Sequence, residues 1–154
     1  MKTKVIFSLY IVLVFITACQ TSTPPPLLTA ATNTDFVLAP EQTAFIPDIG
    51  LKIKFVAISS DERCHSKMEC AISGPVTLTI SLQKDSGNIA EFVLQTFTNN
   101  NGLAPEMQFE GIQDRVEYES HLVQIKSVQP YPADLADRNN LLGYRVTFIV
   151  TEIK

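Results

Sequence analysis

Residues 36–154 predict an all-β domain, an antiparallel β-sandwich of six to eight strands, and three observations carry that expectation. Apolar residues recur at every second position in several runs. Those runs are bounded by clusters of Gly, Pro, Asn and Asp. The three- and four-residue apolar spacing that a helix needs is almost absent.

The stretch VTLTISL, Val76 to Leu82, alternates without a fault, with Val76, Leu78, Ile80 and Leu82 on one face and Thr77, Thr79 and Ser81 on the other. LKIKFVAI, Leu51 to Ile58, sends Leu51, Ile53 and Phe55 inward and Lys52 and Lys54 outward. Both are predicted as half-buried antiparallel strands. IAEFVLQTF (Ile89 to Phe97) and YRVTFIVTEI (Tyr144 to Ile153) are richer in apolar residues, which suggests central strands covered on both sides or packed against loops. RVEYESHLVQIKSVQP, Arg115 to Pro130, divides into two strands at Glu119 and Ser120, and DSGN, Asp85 to Asn88, is a hairpin turn. NNNG (Asn99 to Gly102) and PYPADLADRNN (Pro130 to Asn140) are loops, the second with room for one helical turn around Leu135. Short strands separated by turns fit an immunoglobulin-like sandwich, with a barrel as the alternative.

Ahead of this domain, Lys2 and Lys4 precede an apolar and small-residue run from Val5 to Ala18, the layout of an export signal. That run is shorter than the roughly 20 residues a membrane-crossing helix needs. It ends in ITAC, Ile16 to Cys19, which resembles the lipobox of bacterial lipoproteins. The resemblance implies a signal peptide over residues 1–18, cleavage before Cys19, and a diacylglycerol on the Cys19 sulfur with an acylated amino group beside it. Two or three acyl chains on one residue hold durably where a single chain does not. Gln20 in place of Asp implies the outer membrane if the organism has two. Residues 19–35 then form a lipidated cysteine and a tether, rich in Thr and Pro, that spans roughly 50 Å when fully extended.

Cleavage takes the basic count from 12 to 10 against 16 acids, a net charge near −6, which excludes nucleic acid as a partner. Export also places Cys64 and Cys70 in an oxidising compartment, and lipidation of Cys19 removes the odd cysteine, so the remaining two are expected to form a disulfide. The competing use of DERCHSKMEC, Asp61 to Cys70, is a metal site. Zinc would draw on Cys64, His65, Cys70 and distant His121, and Cu(I) on His65, Met68 and a thiolate. A catalytic dithiol is disfavoured, because the gap is five residues and no helix start is predicted beside it. The same block resembles a pattern in small bacterial secreted proteins and lipoproteins of unassigned activity: Asp-x-Arg-Cys-Pro, then Cys, then a Gly before a strand. Asp61, Arg63, Cys64, Cys70 and Gly74 match it, and His65 stands where that pattern has Pro. The likeness implies a disulfide-bearing β-domain and brings no activity.

Asp61 and Arg63 are expected chiefly to fix the turn, with contact to a charged ligand as the alternative. Glu110, Asp114, Glu117 and Glu119 lack the spacing of a calcium loop. No Gly-x-Ser-x-Gly elbow, His-Glu-x-x-His or phosphate loop accompanies His121. The expectation is therefore a non-enzymatic, lipid-anchored envelope module with no cofactor, binding a protein, peptide or glycan through its loops. Its candidate contacts are Asp61, Arg63, His65, Met68 and Tyr131. A metal-binding protein and a protease inhibitor presenting the stapled loop are the alternatives.

Overall fold

The structure, a computed structural model, describes residues 25–133 and 141–153. The expected export signal, the expected lipobox with Cys19 and the expected helical turn around Leu135 all fall outside the described residues.

Nine strands are present among them: β1 (Leu28–Thr29), β2 (Phe36–Leu38), β3 (Thr43–Ile46), β4 (Leu51–Asp61), β5 (Val76–Lys84), β6 (Ala90–Thr96), β7 (Arg115–Tyr118), β8 (His121–Gln129) and β9 (Arg145–Glu152). They form a five-stranded sheet in the order β1-β3-β4-β5-β6 and a four-stranded sheet in the order β2-β9-β8-β7. Every pairing is antiparallel except that of β1 with β3. The count exceeds the expected six to eight because β1, β2 and β3 are too short to establish a period of two. The boundary at residue 36 also moves: Leu28 and Thr29 pair with Ala44 and Phe45, and the Asn33 amide donates to the Val150 carbonyl at 2.8 Å. The last part of the supposed tether is thus built into the domain.

The alternation read from β4 and β5 is the one observed. Leu51, Ile53 and Phe55 are buried, as are Val76, Leu78, Ile80 and Leu82, all with essentially no exposure. They face Val146, Phe148 and Val150 of β9 and Val123 and Ile125 of β8 in one apolar core. The Phe55 and Phe148 rings, one from each sheet, meet edge to face at 6.4 Å between centroids, and Phe36 adds a second contact to Phe148 at 6.1 Å. Burying each such side chain stabilises the sandwich by about 1.5–3 kcal/mol.

β9 lies inside its sheet, between β2 and β8, as its apolar sequence suggests. β6 does not: it is an edge strand, with Ile89 65% and Val93 56% exposed. Its inward residue Phe92 packs edge to face on Tyr118 of β7 at 6.0 Å, and its outward apolar residues meet solvent. The break between β7 and β8 falls at Glu119 and Ser120, both with positive φ, and Asp85 (φ 49°) turns the β5–β6 hairpin.

Asp61 pairs with Val76, Val76 with Thr96, and Gln129 with Arg145. Since Arg63 also bonds to Val128 and Tyr144 to Asp61, the connections 62–75, 97–114 and 130–144 all leave from the same end of the sandwich.

Candidate functional site

The site is organised around the residue that closes β4. Asp61 is 8% exposed, and its carboxylate turns back on its own loop. Oδ1 accepts the Arg63 amide at 3.1 Å and Arg63 Nε at 2.9 Å, and Oδ2 accepts Arg63 Nη2 at 2.6 Å. This is a two-pronged guanidinium–carboxylate pair made across a two-residue spacing. A third element joins through Tyr144, whose hydroxyl donates to Asp61 Oδ2 at 2.7 Å.

Arg63 has no solvent exposure. The guanidinium also reaches across to the other sheet, Nη1 to the Val128 carbonyl at 2.9 Å and Nη2 to the Pro130 carbonyl at 2.9 Å, while Nη1 meets Thr98 Oγ1, just past β6 of its own sheet, at 3.3 Å. The guanidinium carbon sits 5.2 Å from the Tyr131 ring centroid, within cation–π range. A charge this deeply buried is tolerated only when paired and hydrogen-bonded, and here it is both. Burial alone would raise the Asp61 carboxyl, but the Arg63 hydrogen bonds and charge, with the Tyr144 hydroxyl, outweigh it and hold the group below the usual carboxylate value. Burial, then the Asp61 hydrogen bond and charge, push the Tyr144 phenol up to about 12.

Beyond Arg63 the chain makes a short closed loop. Cys64 and Cys70 are bridged, with Cα atoms 5.9 Å apart. The Cys64 amide donates to Ser73 Oγ at 3.0 Å, and the Ser66 amide to the Pro132 carbonyl at 3.0 Å, which lays the loop against the Pro130 segment. Its two legs close through Glu62 N–H to Pro75 O and Gly74 N–H to Glu62 O, both 3.0 Å. A Cβ at Gly74 would lie 2.5 Å from the Glu62 Cβ, so a side chain there would force the legs apart. That is a steric reason for the glycine that the sequence pattern contains.

The five candidate contact residues separate in space. Asp61, Arg63 and His65 face inward, with His65 only 5% exposed and its Nδ1 without a hydrogen-bond partner among the described residues. Tyr131 is partly covered, with its ring against Arg63. Met68 is 58% exposed. The run Ser66–Ile72 is exposed throughout, and Ile72, absent from the candidate set, is the most exposed large apolar side chain at 86%. The zinc set is not assembled: both sulfurs are in the bridge, and His121 starts β8 at the opposite end of the sandwich, its Nδ1 2.6 Å from the Glu119 carbonyl oxygen. Among the described residues no three His, Cys, Asp or Glu side chains converge on a possible metal position.

Sequence reasoning missed Tyr144, Thr98 and the carbonyls of Val128 and Pro130. Tyr144 reads as one more strand residue, and a backbone carbonyl carries no sequence signal.

No protein-family model matches the chain, and neither the curated proteins nor the solved structures contain a match to it.

Proposed function

We propose that this chain is a lipid-anchored bacterial envelope protein whose sandwich is a non-enzymatic binding module, recognising a protein, peptide or glycan through the rim of the stapled loop. The anchor is supported by the basic, apolar and ITAC succession ending at Cys19. The recognition surface is supported by a division within the loop: Asp61, Arg63 and His65 are turned inward, while Ser66–Ile72 is held outward with Met68 and Ile72 exposed. The Asp61 and Arg63 charges are committed to each other, which supports a scaffolding role for that pair beneath the exposed run. What remains is a pre-ordered protrusion, whose low ordering cost favours binding.

Intact mass spectrometry of the protein from native membranes tests the anchor and the bridge together. The expected mass is that of a chain beginning at Cys19, acylated, with Cys64 and Cys70 oxidised. An unacylated chain with two free thiols would remove both the address and the passive scaffold. Glycan and peptide arrays probed with the folded protein test the surface. Signals should disappear in a Met68→Asp, Ile72→Asp double variant of unchanged thermal stability, and signals equal in both proteins would sink the loop as the recognition surface.

A further inference from the structure

We propose that two copies of this chain join edge to edge along β6, about a two-fold axis at Phe92, extending the five-stranded sheet from one copy into the other. The two sheets present four edges: β1 with two residues, β2 with three, β7 with four and β6 with seven. Natural edges are blunted by shortness, proline, lysine or a bulge. Three of the four satisfy the first condition. β6, AEFVLQT, contains neither proline nor lysine, and its register against β5 runs without a shift from Ala90 to Thr96.

The direction of its free groups follows from one bond. The Gln95 amide donates to the Gln113 carbonyl at 2.8 Å, on the side away from β5. In an antiparallel strand, residues two apart direct their backbone groups the same way. The amides and carbonyls of Glu91 and Val93 therefore also point away from β5, and they have no partner among the described residues. Gln113 stops the open edge at Gln95, and the β5–β6 turn stops it before Ala90. What is left, Ala90–Leu94, is centred on Phe92.

That centring makes the edge complementary to itself. An antiparallel two-fold at Phe92 sets Glu91 opposite Val93 of the second copy and Ala90 opposite Leu94. Glu91 and Val93 then exchange both of their hydrogen bonds, and the only charged side chain of β6 faces an apolar one instead of its own copy. The other edges are too short to offer β6 an equal length. Because both copies use the same patch, the contact closes as a dimer and does not propagate into fibres.

Full-length protein carrying Phe92→Cys tests the axis, which places residue 92 opposite itself with Cβ atoms about 4.5–5.5 Å apart. Under mild oxidation, a covalent dimer well above the wild-type background is expected on a non-reducing gel. Adding Val93→Pro should cut its yield by about tenfold, because proline deletes an outward donor while leaving the bonds to β5 in place. Phe92→Cys also removes a ring that packs on Tyr118, so amide exchange of the wild-type chain gives an independent readout. The Glu91 and Val93 amides should become slower to exchange as protein concentration rises, whereas Gln95, already bonded to Gln113, should not change. Cross-linking no greater than wild type in a folded variant, insensitivity to Val93→Pro, or exchange independent of concentration would each overturn the proposal. So would protection that appears only when an unrelated extended peptide is added.

Discussion

A single guanidinium ties the loop-bearing end of this sandwich together. Arg63 is bonded to the carboxylate that closes β4, to the Val128 carbonyl within β8 and to the Pro130 carbonyl just past it. Its removal takes a donor from each and leaves Asp61 with only the Tyr144 hydroxyl among side-chain donors of the described residues. Breaking a buried pair by deleting one partner costs about 3–5 kcal/mol. Arg63→Ala is expected to lose that much in urea unfolding. Arg63→Lys should recover little of it, since an ammonium cannot make the planar two-pronged contact. The same cluster sets pH limits. Asp61 has a depressed folded value, so its contribution is complete above the unfolded carboxyl value of about 4 and disappears as pH falls through the lower folded one. Tyr144 has a raised value, so its contribution is complete below the unfolded phenol value of about 10 and disappears as pH rises towards about 12. Thermal denaturation of Tyr144→Phe against wild type should show the variant less stable at neutral pH and the gap closing across that alkaline window. Asp61 and Arg63 are legible in the sequence as a turn-fixing pair. That the turn is fixed to the far sheet through Tyr144 is not, because those residues are 83 positions apart for Asp61 and Tyr144 and 67 for Arg63 and Pro130.

Among the elements, the stapled loop and strand β6 show opposite relations between sequence and outcome. The Cys64–Cys70 bridge closes only a few residues, for which the chain-entropy estimate is about 2 kcal/mol. Arg63 precedes the staple and is held independently of it. The Cys64→Ser, Cys70→Ser double variant is therefore expected to keep the sandwich, to lose about 2 kcal/mol in denaturant unfolding, and to show faster amide exchange confined to Ser66–Ile72. Exchange that spreads into β4 and β5 would show the staple to be part of the core's support. Cysteine spacing made this element legible before any fold was known. For β6, apolar content suggested a central strand, but a strand's place in its sheet is set by which distant segments pair with it, and β6 has a paired strand on one side only.

At the scale of the whole molecule, the two sheets are held by one apolar layer, and Phe148 is central to it because it touches rings from two different strands. Phe148→Ala should cost about 3–5 kcal/mol, more than any loop substitution that spares Arg63, measured by the denaturant midpoint at unchanged slope. A period of two already marks which residues at the start of β4 and along β5 enter that layer, because alternation is a local property imposed by the pleat. The pairing of the last two cysteines and the all-β class were likewise legible in composition and spacing. Strand order, the inclusion of Leu28 and Thr29 in a sheet, the exposed edge at β6 and the burial of Arg63 were decided by tertiary structure alone. Each depends on which distant segment occupies the neighbouring position, and a linear pattern reports a residue's own preference for water or core without naming the group it will meet.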